Sequence, residues 1–485
     1  MTLLLVLLAL VVSAGLYGAI AYWKSREIRT VRQLFHIENG RDGALSIVAG
    51  NLTLGTGLFY VASLAQSQAI FAIVAPIGVL VGYLILANIA KNLTIEVSGN
   101  QHNILDSIRM GAGGRMFYKF LSIIIVLTYL IIIPFEIYVS SSLFASVLPG
   151  AQSSDMAIVF ATVLFCVVVT YSAIGGLRGI VATDYIQLAF IIVMLLIVLL
   201  GAIFLAPKGN LSGKPLGLFP TGGVFAVLAL SVSAFVTAVA TQMYNIINLT
   251  VGSSFDSADQ SRLFRIAGIV LFFALLLFVF TGLATRTFGE SDLAGIDLLL
   301  NQLSKNGESF SWIIFLVVFG MVAVLISTAD SGIMAISHFM YSNIFQNDSR
   351  SSEGGRKLWV VRLFYIVSLN TIAAIPLILI FKSKPDLVPL LLSSVSALTV
   401  AAPFLVSSAI NVARFQNCLM FDWKVSVGVI VLILMVWGIA IWRVLEHDTN
   451  TGTYLIVGGV FFGLLYYFVD CAHTRRRSYA GSLVS

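Results

Sequence analysis

The chain has 485 residues, 59% of them hydrophobic and only 10% charged, with a mean hydropathy of +1.00 and a formal net charge of +6. A water-soluble domain carries roughly 25% charged residues, so this composition excludes a soluble globular protein: there is too little polar surface to cover one. It also argues against a nucleic-acid partner, because the basic residues lie between apolar blocks, where they orient a chain in a membrane.

About 20 consecutive apolar residues suffice to cross a bilayer. On that measure the sequence predicts thirteen membrane-spanning helices, near 1–23, 44–67, 69–90, 117–148, 155–174, 184–206, 223–249, 264–285, 310–345, 359–381, 386–412, 424–442 and 452–471. The first has no basic residues before it and several after it, so it reads as a leader span rather than a cleavable signal. The others are spans 1 to 12. Lys and Arg favour cytoplasmic loops. With the N-terminus outside and the C-terminus inside, only Lys208, Lys214, Arg286, Lys305, Lys382, Lys384 and Arg443 of the 28 basic residues fall on the outer side. Trp23, Trp312, Trp359, Trp423 and Trp442 sit at span ends, as interfacial belts require. Cys166, Cys418 and Cys471 are far apart, so neither a disulfide framework nor a metal cluster is indicated.

Span 1 contains Ser46-Ile-Val-Ala-Gly-Asn-Leu-Thr-Leu-Gly-Thr-Gly57. Glycine costs about 1 kcal/mol against alanine inside a helix, so this stretch is expected to break. In lipid, freed carbonyls survive only where they face a cavity or an ion; close helix packing through small residues is the other reading. Span 3 carries Glu136 two residues after Pro134. A carboxylate inside a membrane is a functional candidate, and this one could pair a cationic solute group, carry a proton, or bond a neighbouring helix. Gln66 and Gln68 at the end of span 1, and Asn245 on span 6, are further candidates for lining a solute path.

The junction of spans 4 and 5 reads Tyr171-Ser-Ala-Ile-Gly-Gly-Leu-Arg-Gly-Ile-Val-Ala-Thr-Asp-Tyr-Ile-Gln187. Asp184 there could cap the helix of span 5, hold an ion, or do both. Span 8 contains Val324-Leu-Ile-Ser-Thr-Ala-Asp-Ser-Gly332. Ser327, Asp330 and Ser331 share one face at i, i+3 and i+4, and Thr328 adjoins them. Back-bonding to the helix's own carbonyls could account for the hydroxyls but not for Asp330. Hydroxyls and carboxylates are what a hard cation wants. His338, farther along, reads as a packed or interfacial residue.

The Gly-Gly-Leu and Val-x-Thr-Asp-x-x-Gln pattern, together with the Ser-Thr-Ala-Asp-Ser run at 327–331, resembles the sodium:solute symporter family. Gly179 departs from the family pattern, as does Thr53, where some members carry Asp. The resemblance implies an all-α membrane protein with a five-plus-five inverted-repeat, leucine-transporter-like core, a leader helix and two C-terminal helices. Its expected divisions are a leader helix and linker (1–43), a first five-helix repeat (44–206), an external loop (207–222), a second repeat (223–412) and two peripheral helices with a basic tail (413–485). It implies a secondary active transporter taking up a small organic solute with sodium. The ion would be held by the carbonyls of Asn51, Leu54 and Val324 and the hydroxyls of Ser327 and Thr328. A second cation position would draw on Asp184, Ser327, Asp330 and Ser331. Solute contacts would come from Thr53, Gln66, Gln68, Glu136 and Asn245. A proton-coupled symporter and a solute sensor on the same fold are the alternatives. No nucleophile–base pair or HExxH-type motif indicates an enzyme, and the expected location is a bacterial inner membrane.

Overall fold

Lipid offers the backbone no hydrogen-bond partner, so a chain this apolar must satisfy its amides within helices. All regular structure among the described residues is indeed helical. The computed structural model describes residues 2–36, 40–53, 60–96, 114–146, 154–205, 224–252, 257–285, 311–341, 355–384, 395, 398–406 and 423–445. The principal helices are α1 (Thr2–Ser25), α2 (Gly40–Asn51), α3 (Tyr60–Gln68), α4 (Val74–Glu96), α5 (Gly114–Ser146), α6 (Ser154–Leu205), α7 (Val224–Tyr244), α8 (Ile246–Gly252), α9 (Ser257–Thr285), α10 (Ser311–Phe339), α11 (Leu369–Ser383) and α12 (Trp423–Leu445). Among the described residues, eight helical stretches are long and apolar enough to cross a membrane. The chain is a multi-pass integral membrane protein. Span 12 and most of span 10 lie outside the described residues.

Span 1 contains two helices: α2 ends at Asn51, Leu52 and Thr53 are no longer helical, and α3 begins at Tyr60. Span 6 is also two helices, α7 and α8, parted at Asn245, a second break beyond the one expected in span 1. Asn245 ends one helix and starts the next. Its side-chain oxygen accepts from the amides of Ile247 (2.9 Å) and Asn248 (3.3 Å), an N-cap in mid-span. Each proposed repeat therefore opens with an interrupted helix.

Spans 4 and 5 form one helical run of 52 residues, α6. At 1.5 Å per residue that is about 78 Å, more than twice the ~30 Å hydrocarbon thickness. It is long enough for two crossings, and it folds at Gly176, whose φ of 56° and ψ of −165° belong to glycine. A Cβ there would also meet Leu34 Cδ1 at 2.7 Å and the Leu34 carbonyl at 2.8 Å. The expected loop is thus a sharp turn on the segment that follows the leader helix.

At the centre stands α10, packed against α1, α2, α5, α6 and α8. Of its apolar window 78% is buried, against 28% for the leader span. Its C-terminal end is tied down by packing: His338 lies against Phe35 with ring centroids 4.9 Å apart. Beside it, a π-helical stretch at Val361–Ser368 precedes α11. Asn370 at the start of α11 donates back to the carbonyls of Tyr365 (3.1 Å) and Ile366 (3.0 Å), tying the two stretches together.

Candidate functional site

The two helix breaks meet. Asn245 Nδ2 donates to Asn51 Oδ1 at 2.5 Å, and Asn51 Nδ2 donates to the Ile47 carbonyl (2.8 Å) and to Asn248 Oδ1 (3.3 Å). Tyr83 of α4 adds its hydroxyl to Asn248 Oδ1 at 2.9 Å. This amide network satisfies side chains that would be costly in lipid and fixes the two broken helices against each other. Asn248, Gln242 and Tyr83 were not among the sequence candidates. The signal for them is a run of three amide residues, Gln242, Asn245 and Asn248, within an apolar span.

The break in span 1 also faces α10. Thr328 Oγ1 lies 3.5 Å from the Leu52 carbonyl, just past the end of α2. The carbonyl that meets Thr328 is that of Leu52, one residue beyond the expected Asn51. Leu54 lies outside the described residues. Val324 is buried one turn before Thr328 on α10. The approach is close because Gly50 has no side chain: a Cβ there would stand 2.8 Å from Ser331 Cβ.

On the neighbouring face of α10, Ser327 Oγ lies 3.4 Å from Asp184 Oδ1 of α6. Asp184 sits two turns past the Gly176 bend, inside a continuous helix. It has no free first-turn amides to cap, so the capping alternative does not hold. Asp330 is fixed by two donors: the Tyr171 hydroxyl bonds its Oδ2, and the Ser331 amide bonds its Oδ1 at 2.5 Å. Both acids are fully buried. Around them lie buried polar atoms that complete no full hydrogen bond: Asp184 Oδ2, Ser331 Oγ, Ser46 Oγ and both ends of the Gln187 amide, with Ser46 leaning toward Asp184, and Gln187 and Ser331 toward Asp330. Native interiors rarely leave such groups unpaired, and each one needs an explanation such as an ion or a water. Orphan oxygens concentrated around two carboxylates fit a cation, which accepts many oxygen ligands at once.

A cavity of about 190 Å³ adjoins the breaks. Asn51, Thr53, Gln242, Asn245, Tyr129 and Thr328 give it polar edges, and Ile132, Ile133 and Leu271 are among its apolar walls. No Asp, Glu, Lys, Arg or His is among its described lining residues. Thr53 and Asn245 thus line it, while Glu136, Gln66 and Gln68 are not among its described lining residues. Glu136 is buried in α5 and engaged within the protein. Gln68 accepts from Ser231 at 3.2 Å, tying α3 to α7, and Gln66 is likewise engaged.

No family model matches the chain, and no curated protein matches it in sequence. Solved structures do match in fold. One is the substrate-bound, outward-open state of a Na+-coupled sialic acid symporter: TM-score 0.69 at 15% identity, covering 95% of this chain and 97% of that one. Another is MhsT in complex with L-phenylalanine: TM-score 0.57 at 14% identity, covering 85% of this chain and 99% of that one. The fold is therefore the all-α, inverted-repeat membrane fold of these transporters.

Proposed function

We propose that this protein is a secondary active transporter that couples sodium entry to uptake of a small solute by alternating access. The observation that carries this reading is the meeting of Thr328 with the Leu52 carbonyl at the break in span 1. Two oxygens at right angles on a hard cation with bonds of about 2.4 Å stand ~3.4 Å apart. The 3.5 Å between Thr328 and Leu52, and the 3.4 Å between Ser327 and Asp184, match that spacing. Hydroxyl hydrogen bonds normally run near 2.7–2.8 Å. On this reading the first sodium is held by carbonyls of the 51–54 break, the Val324 carbonyl, and the hydroxyls of Ser327 and Thr328. A second cation position lies at Asp184, Asp330 and Ser331.

The solute occupies the cavity between the broken helices. A net charge in a dry, low-dielectric site needs a countercharge, and the described lining offers amides and hydroxyls only. The solute is accordingly one held by hydrogen bonds to these amides and hydroxyls. A cavity of 190 Å³ is also smaller than the 300–1,000 Å³ usual for drug-sized ligands, which favours a compact molecule. Solute arrives with sodium from outside, and rearrangement of residues 44–206 against 223–412 opens the site to the cytoplasm, where Arg475–Arg477 would lie.

The test is uptake into proteoliposomes of solutes preselected by thermal shift, since a ligand that binds only the folded state stabilises it. An inward sodium gradient is expected to drive accumulation. Accumulation driven equally by a proton gradient without sodium, or none under any gradient, would sink sodium symport.

A further inference from the structure

The leader helix carries a buried stripe of unexpected chemistry. Ala9, Ser13, Tyr17 and Ala21 recur every fourth residue, and all four are completely buried. The opposite side, with Leu7, Leu8, Val11, Val12 and Trp23, is exposed and apolar, as a lipid-facing surface should be. Small residues such as Ala9, Ser13 and Ala21 are ordinary where membrane helices pack closely; a buried tyrosine hydroxyl without a well-formed hydrogen bond is not, and needs an explanation. Here the central two positions are hydroxyls that face each other, and neither Ser13 Oγ nor Tyr17 Oη reaches full hydrogen-bond geometry with any described group.

The position of α1 accounts for them. Ala21 packs on the Gly175 and Gly179 backbone; a Cβ on Gly175 would stand 2.8 Å from that of Ala21. This seam draws α1 onto the bend of α6 and onto α10. One turn earlier, Tyr17 comes within electrostatic reach of both Asp330 and Asp184, with Ser13 adjacent to it. The same acids are bordered by the orphan oxygens of Ser46, Ser331 and Asp184 itself. Three elements, α1, α6 and α10, thus converge on one polar chamber, joined by Ser46 in the middle of α2.

We propose that the leader helix is a working part of the second cation position, with Tyr17 and Ser13 turning their hydroxyls into the chamber between Asp184 and Asp330 to complete its oxygen shell. This rests on the sodium-transporter reading above. Asp330 already accepts from Tyr171 and the Ser331 amide, so an ion beside the two carboxylates draws its neutral oxygens from Ser331, Ser46 and Gln187. The two leader-helix hydroxyls raise the count.

The purified full-length protein tests this, with thermal stability measured against sodium chloride at ionic strength held constant with choline chloride. Tyr17→Phe keeps the ring and its packing and removes only the hydroxyl; Ser13→Ala does the same for the smaller group. If the hydroxyls serve the ion, Tyr17→Phe is expected to weaken the apparent sodium affinity about tenfold, the scale of one lost contact to a charged group. Its melting temperature without sodium should be unchanged or raised, because a buried hydroxyl without a full hydrogen bond is lost. A purely structural tyrosine predicts the reverse: lower stability and an unaltered sodium curve. Wild-type sodium curves in both variants would overturn the leader-helix assignment while leaving the transporter reading standing. An absence of any sodium response in the unmodified protein would overturn both.

Discussion

Replacing Gly50 by alanine sets two local effects against each other. In an isolated helix the change is favourable by about 0.5–1 kcal/mol, because alanine restricts the unfolded chain and suits the helix. In this fold the new methyl would stand 2.8 Å from Ser331 Cβ, 3.0 Å from its Oγ and 3.3 Å from Ile247 Cδ1. Comfortable carbon contacts lie near 3.5–4.0 Å, so α2 and α10 must separate by roughly 0.7–1.2 Å. A rotamer change cannot relieve this, because Ser331 Cβ is fixed to the α10 backbone. Overpacking of this kind costs about 1–3 kcal/mol, so the clash outweighs the propensity gain and the variant should lose about 0–2.5 kcal/mol. The functional loss should be larger than the stability loss. The same displacement draws the Leu52 carbonyl away from Thr328, whose 3.5 Å spacing would rise beyond the reach of one shared ion. The assay is sodium-dependent uptake, with melting temperature in parallel. The expected result is a half-maximal sodium concentration raised about tenfold or more, with modest thermal destabilisation. Ser331→Gly added to Gly50→Ala should restore the melting temperature. A Gly50→Ala protein that is more stable than wild type and has unchanged sodium dependence would refute the claim that α2 and α10 must touch here.

Thr328→Ala and Ser327→Ala should each raise the half-maximal sodium concentration while expression is retained; two unchanged sodium curves would remove this pair from the mechanism. Asp184→Asn and Asp330→Asn preserve shape but remove charge, and are expected to lower the Hill coefficient for sodium; flux ratios identical to wild type in both would leave a single ion as the whole driving force. Gly176→Ala meets both a strained backbone, worth about 1–3 kcal/mol, and the Leu34 contact, so folded yield and melting temperature should fall sharply, and a normally stable variant would contradict the bend. Asn245→Ala removes the α8 cap at a cost of about 0.5–2 kcal/mol and the bond to Asn51; normal solute affinity in that variant would place the solute elsewhere.

The sequence alone determined that this chain lives in a membrane, because hydropathy is additive and local: runs of apolar residues between basic loops need no tertiary contact to be read. It also determined the weakness of span 1, since glycine's conformational freedom acts wherever it stands, and it picked out Ser327, Thr328, Asp330 and Asp184 because polar groups inside an apolar span are conspicuous. Partnership was not legible. Glu136, Gln66 and Gln68 looked as functional as Asn245, and only packing separates a side chain engaged between helices from one that edges a cavity. The break at Asn245 escaped notice because a single asparagine caps a helix only when the next turn is free to receive its oxygen. Asp184 read as a possible cap because the bend at Gly176 was expected to be a loop, whereas the helix resumes at once. Tyr17 and Ser13 were invisible in a leader span that looks uniformly apolar; they acquire meaning only when the Ala21 seam brings α1 against α6, setting residues more than 150 positions apart in the chain around one pair of carboxylates. Convergence of that kind is a property of helix packing, and no local pattern encodes it.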